Sequence, residues 1–350
     1  MSRPRKVLPV LLSAVLLAGC GSEPAPVAAP PPSPSPSPSP SPSPSPSPAL
    51  KPKPKPAPTT DPLTGRPGVP TGSVVAVKID NSPLARPYHR GMGAASVVYQ
   101  ELMEGGASRF LAVYAPATAT EVGPVRSVRE GDIELLRQYG KVALGSSGGN
   151  SGVLATVAAA AKAGQLLDAT YDVVPGPYRK AERRKDAINF FTSPAKIDQA
   201  RPAGSKVRDI GMRFGGLAPG VGASAAAASI SFSRITRVRV QYEPAAGSYA
   251  VFQDGDRMRD FAPTNVVVQS AKVDESQYVD VLGNRTPYTR TLGTGHVDVL
   301  RDGRRLSGTW LRKGPNVGTR FLDPAGRDLP LKPGSTLVLL APSDRPLEVG

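Results

Sequence analysis

The chain has 350 residues with 43 Lys+Arg against 28 Asp+Glu, a formal charge of +15, one Cys and two His. One Cys excludes a disulfide framework and any cysteine-cluster metal site, and the separated His89 and His296 make no multi-histidine centre. The length allows two folded domains, phosphate-loop and dinucleotide fingerprints are absent, and neither a cofactor nor a metal is expected.

Arg3, Arg5 and Lys6 precede an apolar run over 7–17, which has the length of a signal core and is too short to span a bilayer. The run ends Leu17-Ala-Gly-Cys20, which resembles a bacterial lipobox. Residues 1–19 are therefore expected to be a lipoprotein signal peptide. Cys20 is expected to carry the lipid, palmitate included, at the extracytoplasmic face of the cell membrane. Two or three acyl chains anchor stably where one does not.

Residues 20–62 read as the lipidated Cys and a disordered linker. Eighteen of the 40 prolines fall here, in eight Ser-Pro pairs over 33–48, three Lys-Pro pairs over 51–56 and the stretches around them. Proline lacks an N–H and restricts its predecessor, so helix and sheet are both excluded. An extended spacer at about 3.1 Å per residue then reaches on the order of 130 Å.

Residues 63–220 read as an α+β or α/β domain. A β-branched run over 74–79, closed by Asp80-Asn-Ser-Pro83, predicts a strand and a turn. Apolar runs over 96–103 and 107–115 flank Gly105-Gly106, which suits a two-residue hairpin turn. That register puts Glu104 and Arg109 on one face and Glu101 on the other. Ile133, Leu135, Leu136 and Tyr139 predict a helix over 130–139, with Glu130, Asp132 and Glu134 near its positive end. A buried strand over 142–144 runs through a Gly/Ser loop into a helix over 153–163. Free N–H groups at such a helix start hold anions, and Ser and Asn there also simply cap helices. A basic run covers 179–186, and Pro194 after Ser193 opens a short helix.

Residues 224–346 read as an all-β domain, sandwich- or barrel-like, of short strands separated by Gly/Asp/Asn turns. Asp302-Gly303 between two strands is a strong hairpin signal. Trp310, the sole Trp, is expected in the core, and His89 in a solvated loop.

Together these motifs resemble the YerB-like bacterial lipoproteins, built from paired N- and C-terminal domains of unknown function. The resemblance is carried by Asp61-Pro-Leu-Thr-Gly65, Val75-Ala-Val-Lys-Ile-Asp-Asn81 with Ala85-Arg-Pro87, and Val98-Tyr-Gln-Glu-Leu-Met-Glu-Gly-Gly106 with Arg109-Phe-Leu111. Gly123-Pro-Val-Arg-Ser127, the segment 184–193, Asn265-Val-Val-Val268, Gly308-Thr-Trp310 and the stretch after Leu331 continue it in order. It implies an anchored extracytoplasmic protein and no established reaction. The family pattern often has His before Asn189, where this chain has Ile188, so no chemistry resting on that His is implied.

Two function classes follow. The first is a non-catalytic binding or scaffolding lipoprotein of the cell envelope. Its candidate residues are Asp80, Asn81, Arg86, Glu101, Glu104, Arg109, Arg126 and Arg129. Several Arg in one site suit a carboxylate or phosphate, so peptidoglycan or an anionic wall polymer is the expected ligand. The second is a cell-wall glycan hydrolase using paired carboxylates, Asp80 with Glu101 or Glu104. The alternatives separate on geometry: facing carboxylates in an open cleft favour the enzyme, carboxylates locked onto Arg the binder. The membrane is the expected partner through the lipid, and no nucleic acid is expected, because the cations are dispersed and the signal sends the chain outside.

Overall fold

In the computed structural model, residues 59–181, 190–280 and 282–350 are described. The expected signal, Cys20, the linker to residue 58, the 182–186 part of the basic run, and residues 187–189 lie outside them. In chain order the first half contains β1 (Val75–Asp80), β2 (Val97–Leu102), β3 (Ser108–Tyr114), α1 (Glu130–Leu136), β4 (Val142–Gly145) and α2 (Ser151–Lys162). It continues with β5 (Leu166–Asp168), β6 (Tyr178–Lys180), β7 (Phe190–Thr192) and α3 (Pro194–Ala200).

Among the described residues the second half has strands and no α-helix. These are β8 (Ala223–Ser224), β9 (Ala227–Ser231), β10 (Arg237–Glu243), β11 (Ser248–Gln253), β12 (Asp256–Arg257), β13 (Asn265–Ala271) and β14 (Val273–Val279). Then follow β15 (Arg285–Thr289), β16 (Gly293–Arg301), β17 (Arg304–Arg312), β18 (Arg320–Leu322), β19 (Thr336–Pro342) and β20 (Glu348–Val349). An α+β first half thus precedes an all-β second half.

The halves share one sheet. Its order is β18-β17-β16-β13-β19-β2-β3-β1-β4-β5, with β8 beside β17. β19, buried at every position, lies between β13 and β2 and is parallel to both. A strand so uniformly buried needs neighbours on both edges and cover on both faces, and it takes one edge from each half. The five-stranded sheet β12-β11-β10-β9-β20 packs on one face as in a sandwich, setting Ile230, Val238 and Val251 against Val98, Val266 and Leu339. α1 and α2 cover the other face, where Ile133, Leu136 and Val157 meet Val97, Tyr99 and Leu144.

Turn chemistry sets most of the register. Asp302 and Gly303 both take positive φ, 52° and 67°, and close Arg301 onto Arg304 as the hairpin signal predicts. The β2–β3 turn differs from expectation. Leu102 pairs with Ser108 and Glu101 with Arg109, so the connection is 103–107, with a 3₁₀ turn at Glu104–Gly106. Both glycines adopt positive φ as expected, but Glu104 is lifted out of the strand. Met103 N–H closes the turn onto the Ala107 carbonyl at 2.7 Å, and the Gly106 carbonyl also accepts hydrogen bonds from Ser233 Oγ (2.6 Å) and Thr236 Oγ1 (2.8 Å) of the second half.

His89 is not a solvated loop residue. It is half-buried, its Nε2 bonded to the Asp80 carbonyl at 2.6 Å and its ring edge-on to Phe110. Desolvation lowers its pKa below the ordinary value, so the ring is neutral and Nε2–H is the donor. Trp310 lies in the core, 2% exposed, and its indole N–H donates to the Ser270 carbonyl.

Candidate functional site

β1, β2 and β4 run in the same direction, because β1 and β2 are each antiparallel to β3 and β4 is parallel to β1. Their carboxyl ends converge where crevices open in α/β sheets. Strand alternation places Lys78 and Asp80 of β1, Glu101 of β2 and Arg109 of β3 on the face covered by α1 and α2. Arg109 lies across from Asp80 on one side and Glu101 on the other.

Both flanking acids are taken by other cations. Arg126 Nε donates to Asp80 Oδ2 at 2.7 Å, and Ser82 N–H donates to Oδ1. Arg126 is brought there because its N–H bonds the Lys78 carbonyl, running 124–126 alongside the end of β1. Lys78, fully buried, donates to Glu101 and, at 2.7 Å, to Asp132 of α1. Desolvation lowers the Lys78 pKa to about 8, opposed by the charge and hydrogen bond of Asp132. Asp132 also accepts the Arg129 N–H that opens α1. The Arg129 side chain grips Glu104 as a fork, Nε to Oε1 at 2.7 Å and Nη2 to Oε2 at 2.8 Å. Thr286 Oγ1 adds a bond to Glu104 at 2.6 Å. Desolvation pushes the Glu104 carboxyl up, but these bonds outweigh it and hold its pKa below the usual range.

Arg109 is left over. Its only hydrogen bond among the described residues runs from Nη1 to the Ser127 carbonyl at 3.2 Å, and it has no carboxylate partner. Desolvation, then the neighbouring charge of Arg129, lowers its pKa to about 10. It opens onto a cleft of about 490 Å³ lined by Asp80, Glu104, Arg126 and Arg129, by the start of α2, and by Val279, Asp280 and Thr286 around the β14–β15 turn.

The eight residues singled out in the sequence therefore do not form one surface. Asp80, Glu104, Arg109, Arg126 and Arg129 line the cleft, while Glu101 lies beneath it on Lys78. Asn81 and Arg86 lie apart, in a network with Ser108, Gln253 and Asp254 that ties the β11–β12 turn to the first half. Each proposed catalytic acid is locked onto a cation, so the hydrolase alternative finds no support. Asn150 caps α2 by accepting the Gly152 N–H at 2.8 Å, which is the structural role of that Gly/Ser loop.

Residues 63–207 match the family profile described as "Protein of unknown function (DUF3048) N-terminal domain", and residues 228–338 match its C-terminal counterpart. The chain belongs to the DUF3048 family. A stretch of 56 residues is 46% identical to "Putative lipoprotein YerB" of Bacillus subtilis (strain 168). That match covers 16% of this chain and 17% of the relative. The crystal structure of YerB protein from Bacillus subtilis superposes with a TM-score of 0.68 at 22% identity, over 83% of this chain and 99% of that one, a likeness of fold.

Both DUF3048 segments build the cleft. The N-terminal one supplies the three Arg, and the C-terminal one supplies Val279, Asp280 and Thr286. Sequence reasoning missed Lys78, Asp132 as its partner, and Thr286. Only Lys78 carried a signal, as a lone cation inside a β-branched run.

Proposed function

We propose that this protein is an extracytoplasmic lipoprotein, held to the cell membrane by acylated Cys20 and spaced from it by the proline-rich linker. It acts as a non-catalytic binding or scaffolding protein of the envelope, and its cleft takes an anionic component of the wall. The observation that supports this reading is Arg109. It is the cleft cation without a carboxylate, while Arg126 and Arg129 beside it are each neutralised. A partly desolvated, uncompensated guanidinium is unfavourable alone and is relieved by an anion.

The test uses the full chain in its native envelope and in detergent solution. Cys20→Ser is expected to move the protein to the medium or leave it unprocessed. The detergent-solubilised chain is expected to co-sediment with purified cell wall, and Arg109→Gln to reduce the bound fraction several-fold while the circular dichroism spectrum stays unchanged. Wall binding that is absent, or indifferent to Arg109, would refute the reading.

A further inference from the structure

Resting on that reading, we infer that the ligand presents a single carboxylate, the free C-terminus of a short peptide with small side chains, to the open edge of Arg109. The two cleft guanidinium groups are unequally occupied. Arg129 uses Nε and Nη2, the edge that matches a carboxylate, to hold Glu104 in a two-bond fork. Arg109 spends only Nη1, on a backbone carbonyl. Its Nε and Nη2 make no hydrogen bond to the protein among the described residues. Arg109 lines the cleft, so beside the filled carboxylate fork of Arg129 stands a guanidinium whose own fork edge holds no carboxylate.

Charge sets how much anion the site takes. Lys78, Arg109, Arg126 and Arg129 stand against Asp80, Glu101, Glu104 and Asp132, and Asp280 on the cleft wall adds one further negative charge. There is no surplus of positive charge to hold a polyanion. The further phosphates of a wall polymer would meet Asp80, Glu104 and Asp280 around the same opening. A chain end with one charge avoids that repulsion. The rest of the lining also suits a peptide end. Met103, Ala107, Val153 and Val279 give apolar wall, and about 490 Å³ accommodates a few small residues.

The experiment is calorimetric titration of the full chain in detergent with three probes. They are an N-acetylated tripeptide ending in two D-alanines with a free carboxylate, the same peptide as its C-terminal amide, and a poly(glycerol phosphate). The free acid is expected to bind at least about ten-fold tighter than the amide, which corresponds to ~1.4 kcal/mol. Arg109→Lys keeps the charge and loses the fork, so it should weaken the free acid by a similar factor. Equal binding of acid and amide, or full binding by a folded R109K protein, would overturn the inference. Should R109K fail to fold, the acid–amide comparison on the unaltered chain decides alone. Binding of the polyphosphate but not the peptide would overturn the carboxylate assignment and leave the wall-anion reading standing. If neither probe binds but intact wall still does, the peptide inference alone falls; loss of wall binding as well removes both.

Discussion

Lys78 and Arg109 sit on strands one place apart in the same sheet, facing the same way, yet they hold their charges in opposite fashion. Lys78 is sealed and has two carboxylates. Arg109 is open to a cleft and has none. The difference lies in what each can reach. The lysine stem directs one point charge inward, under α1, where the Asp132 carboxylate meets it. The arginine lies at the strand end, where the neighbouring acids have been claimed by Arg126 and Lys78. A buried, matched ion cluster ties α1 to the sheet, whereas a half-buried cation without a carboxylate is available for a ligand.

The largest effect should come from breaking the closed cluster. Lys78→Met leaves Glu101 and Asp132 buried without a cation, and the expected loss is about 3–5 kcal/mol in urea unfolding. Neutralising both acids in the same protein (Glu101→Gln, Asp132→Asn) should recover part of it. A stable K78M protein would show that the cluster is not sealed.

A smaller loss is expected on the open side. Glu104→Gln removes the fork to Arg129 and weakens the tie through Thr286, for about 1–3 kcal/mol. It also gives the cleft a second unfilled guanidinium edge. Unchanged stability by thermal unfolding would mean that the fork does not hold the β14–β15 hairpin to the first half.

The smallest effect is a slope. His89 has its folded pKa below the unfolded value near 6.5, because burial disfavours the charged ring. The unfolded chain therefore takes up the proton first as pH falls, and the stability contributed by the neutral ring is present above that value and lost below it. Asp80 and Asp260 pull the other way and Arg86 reinforces the shift. Urea midpoints from pH 7.5 to 5.5 should fall more steeply for the unaltered chain than for His89→Asn. Parallel slopes would place the ring in solvent.

Much of the fold was legible because the strands that matter are β-branched or alternate cleanly, and because Asp-Gly pairs mark tight turns. The β14–β15 hairpin was not. Its residues 273–279 are largely polar, with Ser276 the buried one, since the hairpin lies over α1 and α2 through hydrogen bonds such as Ser276 to Glu130 and Tyr278 to Thr156. Polar contacts of that kind leave no hydrophobic period. For the site, Asp80, Arg126 and Arg129 were readable from strand and helix ends. The pairing of Glu101 with Lys78 was not, because it depends on a one-residue register shift: the connection takes five residues where the Gly-Gly pair suggests a two-residue turn.

The position of β19 bears on the order in which the molecule is made. In an exported chain that crosses the membrane from its N-terminus, β2 and β13 emerge well before residues 336–342, and until those arrive each of the two strands has a bare edge where its parallel neighbour will lie. Open apolar edges are templates for wrong partners, and pairings so distant along the chain form slowly. The sheet closes at its middle, and it closes late. A fragment ending before residue 336 is left with two unfinished half-sheets, and its expected fate is association rather than a smaller stable fold.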